Sequence, residues 1–224
     1  MNQNSIAEIL SLILSALAVV YGVHYLFKKG TPGFFQLYVW AAGCYMLEEL
    51  WVIVNLFLGN GVQDGLLTAR LVGFFGCLCF MLSANANEFD KVVNDVKEKK
   101  VILLSLIAPL VLIILFVIYA LSPANPLSAG TKIVGFITIS PAVFASYFNL
   151  KHLLLPEDAM GLLKITKSVN IFSLVFFVAN YIYPFVSLFA PREVMSAYDL
   201  LLTAIMFVII VLCRKGAELW KTNM

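Results

Sequence analysis

VILLSLIAPLVLIILFVIY, residues 101–119, decides the fold class. Only Ser105 and Pro109 interrupt this apolar run, and no charge falls within it. A helix needs about 20 such residues to cross hydrocarbon about 30 Å thick. Six further stretches of similar character surround it. With this one extended to 101–122, the set is roughly 6–27, 34–58, 66–87, 101–122, 131–154, 164–189 and 196–213. The expected architecture is therefore all-α: a polytopic membrane protein whose residues 1–224 form a single seven-transmembrane-helix bundle.

The charges between the stretches orient it. Lys28, Lys29, Lys91, Lys97, Lys99, Lys100, Lys151, Lys164, Lys167, Arg214, Lys215 and Lys221 fall on one side, which is 12 of the 15 basic residues. The other side holds Lys132 and Arg192, and Arg70 lies within a span. Basic residues concentrate in cytoplasmic loops, so the N-terminus is expected outside and the C-terminus in the cytoplasm. An odd number of crossings meets that requirement. The first stretch lacks a basic leader and ends at Lys28-Lys29, so it reads as a retained helix rather than a signal peptide. A multi-pass location, in the cell membrane, follows.

Composition excludes other classes. The chain is 62% hydrophobic and 12% charged over 224 residues, which leaves no segment for a soluble catalytic or nucleic-acid-binding domain. Cys44, Cys77, Cys79 and Cys213 all fall within spans, and Cys77-Leu78-Cys79 is not a metal-ligand spacing. His24 and His152 lie on different helices, so neither a metal site nor a cofactor is expected, and the chain reads as a non-enzyme.

Asp64-Gly65-Leu66-Leu67-Thr68-Ala69 and Asp199-Leu200-Leu201-Leu202-Thr203-Ala204 agree at five of six positions, and both open spans running inward. Helices one to three and five to seven then form two parallel triplets joined by a lipid-facing fourth helix, a 3+1+3 plan. In topology alone this plan resembles the SWEET-type sugar transporters, the vitamin-precursor carriers of similar layout and the microbial rhodopsins. The rhodopsin resemblance implies a retinal-bearing lysine in mid-helix seven, and Leu200 to Cys213 contains none. Glu48-Glu49 is similar to the double glutamate of the CAAX-type intramembrane proteases. Ile53 stands where their pattern requires an arginine, and no mid-helix histidine follows.

In lipid an ionisable side chain requires a reason, because it costs a few kcal/mol unless it pairs or meets water. Glu48 and Glu49 sit just past the middle of the second span. Low-dielectric surroundings disfavour the charged form, so a carboxyl there can hold or exchange a proton. Cys44, Glu48, Trp51 and Asn55 share one helical stripe, expected to face inward with Tyr45 and Glu49 on its shoulder. Arg70, one turn into the third span, can orient an anionic group or pair with Asp64, Glu193 or Asp199. Tyr181, Tyr183 and Tyr198 read mainly as interfacial aromatics. Polar stripes on the fifth span (Thr131, Thr138, Asn149) and the sixth (Ser173, Asn180, Ser187) add to the interior.

The expected ligand-binding set is Glu48, Glu49, Arg70, Asn55, Asn180, Tyr183 and Asp199, lining an outward-facing cavity. The leading expectation is a small-solute transporter or ligand-binding bundle acting on a small polar or charged solute. The competing expectation is a seven-helix sensor or assembly subunit. Its cytoplasmic partner, or a second copy, would dock on Glu88–Lys100 or on the Arg214–Met224 tail.

Overall fold

The computed structural model describes residues 3–58, 63–89, 99–125, 127–155 and 161–222. Inside those helices the side chains at 3–5, 55–58, 63–71, 87–89, 161–166, 192 and 220–222 lie outside the described set. Asn55, Arg70 and the Asp64–Ala69 half of the repeat therefore have backbone positions only. The Gly59–Gly61 turn and most of the Glu88–Lys100 loop lie outside the described residues altogether.

Helices account for nearly all of the described chain, and no strand forms among the described residues. The elements are α1 (Gln3–Leu26), α2 (Gly33–Leu58), α3 (Gln63–Ser83), α4 (Lys99–Ser105), α5 (Ile107–Leu121), α6 (Ala129–Leu154), α7 (Gly161–Phe189) and α8 (Arg192–Thr222). A π-helical turn, Ala84–Phe89, continues α3. Lipid supplies no hydrogen bonds to the backbone, so a helix is the form in which each segment satisfies its own. Among the described residues six helices are long and apolar enough to cross a membrane. They are Ile6–Leu26, Gly33–Val54, Lys99–Leu121, Ala129–Leu154, Lys167–Phe189 and Glu193–Leu219, with a shorter apolar helix at Val72–Ala86. The protein is therefore an integral membrane protein whose exposed apolar faces contact the bilayer.

Prolines punctuate the spans at definable places. Pro109 has no N–H for the carbonyl of Ser105, and the helix breaks there into α4 and α5. Pro141 similarly frees the carbonyl of Ile137, which accepts instead from Ser140 Oγ at 2.8 Å. Ser128 caps α6, its hydroxyl accepting the Thr131 N–H at 3.2 Å. Replacing Ser128 by alanine is expected to lower stability by about 1 kcal/mol, read from thermal unfolding in detergent.

Six helices close a ring. α1 packs on α2 and α8, α2 on α3, α3 on α6, α6 on α7, and α7 on α8. The α4–α5 span lies outside this ring, against α6 and α7, with Leu103 69% and Leu121 78% exposed. Among the described residues sequential helices are neighbours except here, where α6 rather than the fourth span packs on α3. The Arg70–Asp199 pair that would tie helix three to helix seven involves a side chain outside the described set, and among the described residues the ring closes through α1 against α8. Gly22 lets α1 lie close on α2, since a Cβ there would stand 2.8 Å from Val39 Cγ2, while Ile210 Cγ2 of α8, at 3.5 Å, would be in ordinary contact.

The core is built from Phe34, Phe35, Tyr38, Ala41, Ala42, Tyr45, Leu78, Met81, Phe176, Phe177, Met206, Ile209 and Ile210. The last helix does not stop near Cys213 but runs to Thr222. Arg214 stacks over the rings of Tyr21 at 4.3 Å and Tyr25 at 5.4 Å, and its Nε donates to Glu218 at 3.2 Å. The start of the expected tail thus continues the helix and rests on α1 through Arg214.

Candidate functional site

The inward face of α2 is not the expected stripe. Tyr38, Ala42, Tyr45 and Glu49 are buried, Glu49 at 6% exposure, while Cys44 and Glu48 are half-buried. The reason lies on α3. A Cβ on Gly73 would stand 3.0 Å from the Cys44 carbonyl oxygen and 3.2 Å from Glu48 Cβ, and one on Gly76 3.1 Å from Cys44 Sγ. Glycine at these two positions lets α3 lie directly on the Cys44–Glu48 face. That rotates the Tyr45–Glu49 face to the centre of the bundle.

Both carboxyls nevertheless reach one cavity, because 100° between successive side chains lets two neighbours border a space between their directions. The cavity has a volume of about 280 Å³. Tyr45, Glu48 and Glu49 of α2 line it, with Phe74 of α3, Ile139 of α6, Asn180, Tyr183 and Pro184 of α7, and Asp199 and Leu202 of α8. Five of the seven residues singled out from sequence therefore meet: Glu48, Glu49, Asn180, Tyr183 and Asp199. The side chains of Asn55 and Arg70 lie outside the described set.

Hydrogen bonds hold the walls together across three helices. The Tyr183 hydroxyl donates to Asp199 Oδ2 at 3.3 Å. Thr203 Oγ1 donates to the Asp199 carbonyl at 2.9 Å and lies 3.4 Å from the Tyr45 hydroxyl. Tyr198 donates to the Ala179 carbonyl at 2.9 Å, and its ring meets that of Tyr183 edge-on at 5.7 Å. Pro184 removes the partner of the Asn180 carbonyl, while Asn180 Nδ2 donates to the Phe176 carbonyl at 2.8 Å. Tyr181 is no belt residue either: it is buried and donates to the Ile139 carbonyl at 3.0 Å, beside Pro141.

Below the cavity stands an aromatic floor. Phe176, fully buried, meets Tyr45 at 5.8 Å, Phe74 at 6.4 Å and Phe177 at 6.3 Å between ring centroids. To one side, a second and more apolar cavity of about 160 Å³ lies between α5, α6 and α7. It shares Ile139, Asn180 and Pro184 with the first, and Lys132 and Thr131 stand at its edge.

Phe74, Ile139, Leu202 and the floor residue Phe176 carry no signal in the sequence, since apolar side chains are the default throughout a span. Three carboxyl groups, two phenols and an amide around one space can hold a small polar or cationic group, or pass a proton. Comparison with protein families, curated proteins and solved structures finds no match for this chain.

Proposed function

We propose that the protein is a small-solute transporter or solute-binding bundle that uses buried carboxyls. The observation that carries this reading is the meeting of Glu48, Glu49 and Asp199 at one cavity of about 280 Å³, in helices that otherwise hold few charges. Ionisable groups in a span are costly, and grouping them around one space gives them a common purpose. Glu48 and Glu49 bind or titrate, while Tyr183 and Asn180 contribute hydrogen bonds and fix the orientation of Asp199 and the α7 kink. Arg70 serves an anionic group on the solute. The chemistry is binding and transfer, without a catalytic step.

In this reading the helix α3 with its π-helical turn is a seventh crossing, the N-terminus lies outside, and the basic loops face the cytoplasm. The α1–α3 and α6–α8 triplets move against each other, with the α4–α5 span as the linker. The floor at Phe176 and Tyr45 makes the described state closed toward the basic end.

Purified protein in liposomes, challenged with amino acids, amines and short carboxylic acids, is expected to give a solute-dependent current for at least one class. Glu48→Gln or Glu49→Gln abolishes that current. An unchanged current in the double variant removes the carboxyls from the mechanism. A chain that gives no current, yet co-purifies with a second membrane protein through α8 beyond Cys213, is an assembly subunit instead.

A further inference from the structure

Beneath the aromatic floor lies a second polar layer, toward the end of the bundle that carries Lys28, Lys151 and Arg214. Its centre is a relay of three side chains from three elements. Asn85 Nδ2 donates to the Tyr38 hydroxyl at 3.2 Å, and that hydroxyl lies 3.2 Å from Ser173 Oγ. Tyr38 is ten residues before Glu48 on α2, so the layer is about 15 Å below the outer carboxyls at 1.5 Å per residue.

Amide atoms without a partner accompany the relay, although Asn85 Nδ2 itself also donates to the Met81 carbonyl at 2.8 Å. Asn85, Asn149 and Asn170 are each fully buried. Among the described residues, Asn85 Oδ1 and both amide atoms of Asn149 and of Asn170 have no hydrogen-bond partner. Asn170 lies three residues before Ser173, on the same face of α7. Asn149 belongs to the buried stripe of α6 with Ser146 and His152, and α6 packs on both α7 and the π-helical turn. That turn holds Asn85, and π-turns are uncommon departures that gather at functional sites.

Buried amides are almost always paired, so five unpaired amide atoms on α6, α7 and the π-helical turn, with α6 packed on both others, need an explanation. Packing does not supply one, because leucine or alanine would fill the same space without leaving donors and acceptors idle. Each amide offers a donor beside an acceptor and carries no charge. That pairing of donor with acceptor matches the hydroxyl groups of water or of a small polyol.

We propose that Asn85, Asn149 and Asn170, with Tyr38 and Ser173, form an inner binding site for an uncharged hydroxylated molecule, reached from the basic end. The site is distinct from the outer carboxyl cavity and separated from it by Phe176. It does not depend on the outer cavity being a transport site. Entry requires α6, α7 and the π-helical turn to part, and the layer is then the inward-facing counterpart of the outer cavity.

The test uses a chain with all four native cysteines replaced by alanine and one new cysteine, Asn149→Cys, Asn170→Cys or Ser173→Cys. Each is placed in liposomes and exposed to a membrane-impermeant methanethiosulfonate from either side, with and without erythritol. Modification is expected from the basic side, slowed severalfold by erythritol, while a Lys167→Cys control reacts at one rate throughout. No modification from the basic side, or a rate indifferent to erythritol, overturns the proposal. Should the cysteine-free chain fail to fold, hydroxyl-radical footprinting of the unaltered protein replaces it. Oxidation of the fully buried Tyr38 and Met81 is then expected, and their complete protection overturns the site.

Discussion

Gly73→Leu is expected to leave no monodisperse folded protein, and Gly73→Ala to lower stability by about 1–3 kcal/mol, the usual range for overpacking. A Cβ at Gly73 would meet the Cys44 carbonyl oxygen at 3.0 Å and the Glu48 backbone nitrogen at 3.2 Å. Both are backbone atoms of a helix and have no rotamer to escape into. The alanine variant therefore has to move α3 away from α2 by a few tenths of an ångström, and leucine by far more. Glu48 Cβ is the third neighbour at 3.2 Å, so the shift also disturbs the cavity wall. Detergent-solubilised thermal unfolding and size-exclusion profiles read both effects. Gly43→Ala is the matched control, since a Cβ there meets nothing within 4 Å, and it is expected to behave as wild type. A Gly73→Leu protein as stable as wild type would mean that α2 and α3 do not pack face to face.

The second large effect is at the floor. Phe176→Ala is expected to cost about 3–5 kcal/mol, as for other fully buried phenylalanines cut back to alanine. Phe176 has no exposed surface and touches Tyr45, Phe74 and Phe177, so the space it leaves cannot close without moving three helices. In the proposed arrangement its removal also joins the carboxyl cavity to the amide layer. A leak of small polar solutes through reconstituted Phe176→Ala protein, insensitive to Glu48→Gln, is the expected functional sign. Phe176→Leu keeps most of the volume and is expected to stay tight and to lose far less stability. A tight bundle in the alanine variant would show that Phe176 is one packing residue among many.

The membrane class was legible because it rests on one-dimensional quantities. Runs such as Ile6–Leu26 and Ile102–Tyr119 are long enough to cross hydrocarbon and nearly free of charge, so their solvent is set before any contact forms. Glu48, Glu49, Asn180, Tyr183 and Asp199 stood out for the same reason: a polar group in such a run is an exception that needs a partner. Tyr181 departs from its expected place because it looks interfacial along the chain, yet is buried and donates to the Ile139 carbonyl on another helix. Asn170 and Tyr38 drew no notice, since a single amide or phenol in a span is common.

By itself the sequence determined that the chain is helical, lies in lipid and holds a few costly polar groups, because length, hydropathy and charge act locally. Only tertiary structure decided which way those groups point. The face of α2 turned inward is chosen by Gly73 and Gly76 on α3, the approach of α1 to α2 is allowed by Gly22, and Phe176 joins the rings of Tyr45 and Phe74 at the centre of the bundle. These outcomes depend on pairs of residues far apart in the chain. A pattern read along one helix carries no information about the helix that will cover it.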